Sequence, residues 1–102
     1  MKHILLACFG GFSTSMLVNK MRTAAKEDQL EVEIKAVGES VIAEHIGQAD
    51  CLLLGPQAGY LLEELQETYQ DFPIEVIDPM LYGTMNGKKV LDLAFKVMEE
   101  RK

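Results

Sequence analysis

The sequence predicts an α/β fold, a four-stranded parallel sheet of order 2-1-3-4 with helices on both faces. Three observations predict it. Short apolar runs alternate with stretches of helical periodicity along the whole chain. The run Asp50–Leu54 shows no polar alternation, as expected of a central strand buried on both faces of a parallel sheet. Gly38, Gly55-Pro56 and Asp78-Pro79 stand where successive apolar runs stop.

The elements follow in order. Lys2–Ala7 reads as a first buried strand centred on Ile4, Leu5 and Leu6. Ser13, Thr14 and Ser15 offer N-cap hydroxyls, so a helix should begin there. Leu17, Met21, Ala24 and Ala25 fall on its inner face, with Asn19, Lys20, Arg22 and Lys26 outside. Leu30–Val37 alternates as a strand does and places Val32, Ile34 and Ala36 on one side. Ser40 should cap a short helix carrying Ile42 and Ile46, closed by Gly47. After the third strand, a helix follows Gly55-Pro56-Gln57 with Ala58, Leu61, Leu62, Leu65 and Tyr69 inward. Pro73 introduces a fourth strand, Ile74–Ile77, and a loop is expected from Asp78-Pro79 to Gly87. The last helix carries Val90, Leu91, Ala94, Val97 and Met98 on one stripe. Right-handed crossovers leave few topologies for such a chain, and the flavodoxin-like order 2-1-3-4 is preferred.

Composition bounds the function. A chain of 102 residues is the size of one domain, taken as residues 1–102. Its net charge of −6 and the lack of a basic cluster exclude nucleic-acid binding. The longest apolar run, Ile4 to Phe12, has nine residues. A membrane span needs about 20. No signal peptide or direct membrane insertion is expected, and the default location is cytoplasmic. Cys8 and Cys51 make no disulfide framework, and no Cys/His spacing or carboxylate cluster marks a metal site. No cofactor is expected.

Ligands of open α/β sheets bind outside the carboxyl ends of the strands. Four segments belong there: Cys8–Thr14, Gly38-Glu39, Gly55-Pro56-Gln57 and Asp78–Thr84. Cys8 leaves the first strand and enters Phe9-Gly10-Gly11-Phe12-Ser13-Thr14-Ser15, which becomes a helix. Unpaired N–H groups and the positive dipole end of a helix start favour an anion. Glycines let the backbone curl round a tetrahedral oxyanion, and the three hydroxyls add donors. The same field favours a thiolate, the reactive form of cysteine. A lone cysteine near a strand end is also what a small buried hydrophobe looks like. The Gly-Gly and Ser-Thr-Ser context is what separates Cys8 from Cys51, which sits in an apolar run and reads as structural. Phe9, Phe12, Met16, Met80 and Met85 would ring this end as an adaptable docking rim, or pack inward. His3 and His45 are not expected to act as relays.

Cysteine followed after five residues by a helix-starting residue also looks like the Cys-x5-Arg-Ser of low-molecular-weight tyrosine phosphatases, which use a later Asp-Pro loop as acid. Asp78-Pro79 is present, but Thr14 stands where the arginine would be. Without a bidentate guanidinium, a transferring phosphoryl group loses its main clamp. A Cys-dependent phosphatase or arsenate reductase, or a non-catalytic anion-binding module, remains an alternative.

Three segments together resemble one family. Cys8-x-x-Gly11-x-Ser13-Thr14-Ser15, Leu53-Leu54-Gly55-Pro56-Gln57, and Val76-Ile77-Asp78 followed by Tyr82-Gly83 are similar to the lactose/cellobiose-type IIB components of the bacterial phosphoenolpyruvate-dependent sugar phosphotransferase system. The resemblance covers nearly the whole chain in order and spacing. It implies a phosphocarrier whose cysteine takes a phosphoryl group from a phosphohistidine of a IIA partner. The group then passes to a β-linked disaccharide, such as cellobiose, chitobiose or lactose, bound in a membrane-embedded IIC component. On that reading Cys8 is the nucleophile. Phe9, Gly10, Gly11, Phe12, Ser13, Thr14 and Ser15 form the phosphate cradle. Gln57, Asp78 and Tyr82 lie on neighbouring loops and could contact phosphate or a partner, although Asp before Pro is often a turn former. The carrier is expected to be a monomer.

Overall fold

Five consecutive buried residues, Ile4 to Cys8, mark β1 (Lys2–Cys8) as the centre of the molecule. The computed structural model describes the backbone of residues 1–8 and 12–100, and the side chains of 1–8 and 15–100. β1 pairs in parallel with β2 (Val32–Gly38) on one side and β3 (Cys51–Leu54) on the other. β3 pairs in turn with β4 (Ile74–Val76), giving the four-stranded order β2-β1-β3-β4. All four residues of β3 are buried, which is why that run carries no polar alternation.

Alternation along β1 divides the core between two faces. Ile4, Leu6 and Cys8 point to the face covered by α1 (Phe12–Glu27) and α5 (Gly87–Glu100). Leu5 and Ala7 point to the other, covered by α2 (Ile42–His45) and α3 (Leu62–Thr68). The inner stripes of α1 (Leu17, Met21, Ala24, Ala25) and α5 (Val90, Leu91, Ala94, Val97, Met98) are buried as their periodicity predicts. α1 and α5 approach closely at Gly87, where an added Cβ would lie 2.5 Å from the Lys20 carbonyl carbon. Helices thus cover both faces, as the sequence predicts.

Local expectations are corrected in several places. Ala36 is exposed rather than inward. It lies on an edge strand, where Val32 and Ile34 pack against the α1 face of the core and the cover does not extend to it. Ser40 makes no cap: α2 starts after Val41 without a side-chain cap bond, and Gly47 lies inside a 3-10 turn, Ile46–Gln48. The chain after β3 begins as a 3-10 turn, Pro56–Leu61, before α3 forms. The expected loop from Asp78 to Gly87 holds a short helix, α4 (Pro79–Gly83). Asp78 starts it by accepting a 2.7 Å bond from Met80 N–H, and Pro79 fits the first helical position. No described helix is long and apolar enough to cross a membrane.

Candidate active site

Cys8 is the last residue of β1, the central position at the carboxyl end of the sheet. It is 1% exposed and packs in the core cluster of the α1/α5 face. α1 starts at Phe12, four positions on in the chain. Phe9, Gly10 and Gly11, and the side chains of Phe12, Ser13 and Thr14, lie outside the described residues. Ser15 is in the first turn of α1 and exposed.

The loop after β3 is fastened to the strand that carries Cys8. Gly55 N–H donates to the Ala7 carbonyl at 2.9 Å, and Ala58 N–H closes back on the Gly55 carbonyl at 2.9 Å. Gly55 has φ −62° and ψ 156°, a conformation open to any residue. What it lacks is room. A Cβ built there would lie 2.7 Å from Cys8 Sγ, 3.3 Å from Cys8 Cβ and 3.3 Å from Gln57 Oε1. The thiol therefore occupies the space a side chain at 55 would need, and the Gln57 carboxamide oxygen borders the same point. The sequence places Gly55 in the loop after the third strand and in the family-like segment, without its contact with Cys8. The available signal was a glycine at the end of a wholly buried strand, beside the strand that ends in cysteine.

The remaining candidates separate. Gln57 is exposed, on the 3-10 turn next to Gly55. Tyr82 is 9% exposed and belongs to the same core cluster as Cys8. Asp78 is exposed, with its Oδ1 engaged in starting α4. Of the expected rim, Met16 and Met80 are exposed at 52% and 74%, while Met85 is partly buried against the core. The sequence reading missed a further tie: Tyr60 Oη donates to Glu39 Oε2 at 2.9 Å, joining the segments that follow β2 and β3.

Cys51 occupies the start of β3 and is fully buried. Burial, reinforced by the Asp50 carboxylate, pushes its thiol up to about 12, so it stays protonated at neutral pH. His3 and His45 line a cavity of about 340 Å³ with Glu33 and Lys35, near the amino end of β1 and away from Cys8. Among the described residues, no group of three or more His, Cys, Asp or Glu is arranged to hold a metal ion.

Comparison with known proteins agrees with the fold and extends it. The sequence model of the PTS system lactose/cellobiose-specific IIB subunit matches residues 3–93. The chain is 46% identical over 100 residues to the oligo-beta-mannoside-specific EIIB component of Bacillus subtilis (strain 168), covering 96% of this chain and 97% of that one. It is 38% identical over 104 residues to the galactose-specific EIIB component of Lactococcus lactis subsp. cremoris (strain MG1363), covering 95% and 96%. The solution structure of the cellobiose-specific phosphotransferase IIB component from Borrelia burgdorferi superposes with a TM-score of 0.83 at 38% identity, over 99% of this chain and 94% of that one. With its sheet order, helix placement and sequence all in agreement, the chain belongs to the lactose/cellobiose-specific IIB subunits of the sugar phosphotransferase system, a family of phosphotransferases.

Proposed function

We propose that Cys8 is the phosphoryl carrier of this component. The observation that carries the reading is its place: the last residue of the central strand, at the carboxyl end where open α/β sheets bind ligands. Cys51, the other cysteine, is enclosed and held protonated, which leaves one thiol for the chemistry. In the first step the Cys8 thiolate attacks phosphorus in line. An S–P bond forms, the bond to the phosphohistidine nitrogen of the IIA protein breaks, and the imidazole leaves with the electron pair. In the second, a sugar hydroxyl attacks phosphorus, the thiolate leaves, and the hydroxyl proton goes to a base at the sugar site in the IIC component. Backbone N–H groups from Phe9 to Ser15, with the hydroxyls of Ser13, Thr14 and Ser15, neutralise the charge on the equatorial oxygens.

The sugar belongs to the β-linked class of cellobiose, chitobiose and lactose. The oligo-beta-mannoside-specific relative, at 46% identity, brings β-mannosides into the same range. The carrier works as a single domain, as a monomer and from the cytoplasm, between IIA and the membrane-embedded IIC. The phosphatase alternative needs an arginine where Thr14 stands and a free acid at Asp78, whose Oδ1 instead starts α4.

Incubation with a phosphorylated IIA protein tests the carrier. The expected result is one phosphoryl group per chain, on Cys8, lost in Cys8→Ser and kept in Cys51→Ala. Turnover of an aryl phosphate with release of inorganic phosphate would instead establish the phosphatase.

A further inference from the structure

We propose that Gln57 is a catalytic residue, donating a hydrogen bond from its carboxamide to the phosphoryl group while Cys8 carries it; the proposal rests on the carrier reading above. Cys8 Sγ and Gln57 Oε1 lie 2.7 Å and 3.3 Å from one point beside Gly55, so the carboxamide stands next to the sulfur that the phosphoryl group joins. That placement is anchored. Gly55 N–H is bonded to the Ala7 carbonyl, one residue before Cys8, and Gln57 is the second residue of the 3-10 turn that follows.

The surrounding charge favours such a donor beside the backbone N–H groups. Among the described residues, the segments after β2, β3 and β4 (38–48, 55–61 and 77–87) hold no lysine or arginine. A phosphorylated cysteine brings about two negative charges into that end. Its oxygens accept hydrogen bonds and donate none when fully ionised. A carboxamide offers both an acceptor oxygen and two N–H donors, and a half-turn of its plane exchanges them. Gln57 turns its oxygen toward the point beside Gly55 in the free protein, and turning the amide presents its nitrogen to the phosphoryl group. A neutral donor also suits a group that must depart again. A guanidinium here would add a bidentate ion pair that holds the phosphoryl group more strongly against release.

The test compares wild type, Gln57→Ala and Gln57→Glu for the rate of phosphorylation by a phosphorylated IIA protein between pH 5 and 8. Each rate is taken relative to wild type at the same pH. Loss of one oxyanion donor, which elsewhere costs 10²–10³-fold, should here slow Gln57→Ala by about 10-fold because the donor is exposed and water partly replaces it. Gln57→Glu places an acceptor-only carboxylate against the phosphoryl oxygens and should be slowed by about 100-fold at pH 8. Its deficit should shrink toward pH 5 as the carboxyl gains a proton and becomes a donor, while that of Gln57→Ala stays flat. Alkylation of Cys8 by neutral iodoacetamide, which needs no phosphate donor, should match wild type in Gln57→Ala. Variants phosphorylated at the wild-type rate, or slowed equally with no pH recovery, would overturn the role of Gln57 alone. A wild-type chain that accepts no phosphoryl group would overturn the carrier reading and this one together.

Discussion

Gly55 is held to glycine by a neighbour rather than by its own backbone. Its φ of −62° is ordinary, yet an added Cβ would meet Cys8 Sγ at 2.7 Å. Something must shift, and the sulfur can turn away about χ1, although Cys8 Cβ at 3.3 Å limits the relief. Gly55→Ala should therefore keep the fold, lower unfolding stability by about 1–2 kcal/mol and impair phosphoryl acceptance more severely. Urea unfolding of a double-mutant cycle checks the cause. In a Cys8→Ala background most of the loss should vanish, because the atom that clashes is gone. Gly38→Ala, with nothing within 4 Å of its added Cβ and φ −71°, should leave stability nearly unchanged. A cost that persists without the sulfur would show that Gly55 serves the backbone of its turn instead. The place of Cys8 at the carboxyl end of the first strand was legible in the sequence, where the glycine and hydroxyl context follows it. Gly55 was not, because its partner lies on another strand and only the β1–β3 register brings the two together.

Elements formed as far as their signals reached. The stripes on α1 and α5 were readable because each helix spans several turns and one apolar face repeats. α4 was not, since five residues give too little periodicity and Asp78-Pro79 signals a turn as well as a helix start. The end of α1 shows what a local signal can leave unsaid. Leu30 N–H bonds to the Ala25 carbonyl at 2.8 Å and Gln29 N–H to the Lys26 carbonyl at 3.2 Å. That pairing is a Schellman motif, with Gln29 at φ 57° in the place usually given to glycine. A left-handed conformation costs a non-glycine residue about 1 kcal/mol. Gln29→Gly should raise unfolding stability by about 0.5–1 kcal/mol, read as a higher urea midpoint with an unchanged slope. The variant should phosphorylate normally, because this end of α1 lies at the opposite pole from its first turn. A lower midpoint would mean that the Gln29 side chain contributes more than its backbone costs.

An open sheet leaves two edges, and a single chain resists edge-to-edge pairing only where both are guarded. The order 2-1-3-4 was legible because right-handed crossovers leave few topologies for such a chain and β3 carries no polar residue, as a central strand should. β4 is three residues long, with Pro73 before it and Pro79 soon after, and offers little to a second chain. β2 is seven residues long and is the more exposed liability. It carries Glu33 and Lys35, both exposed, and Arg22 of α1 reaches across to donate to the Ile34 carbonyl at 2.7 Å. A guanidinium there occupies an acceptor that an incoming strand would otherwise use, and its charge opposes the approach of a second cation-bearing edge. Arg22→Ala should uncover that acceptor and favour pairing through β2, seen as concentration-dependent association by sedimentation velocity. Arg22→Lys should restore part of the protection through charge, without the planar fork of the guanidinium. Arg22 lies well along α1 from its start at Phe12, so the monomeric fraction of Arg22→Ala should still take up one phosphoryl group per chain. An Arg22→Ala chain that remains monomeric at millimolar concentration would assign the protection to Glu33 and Lys35 alone.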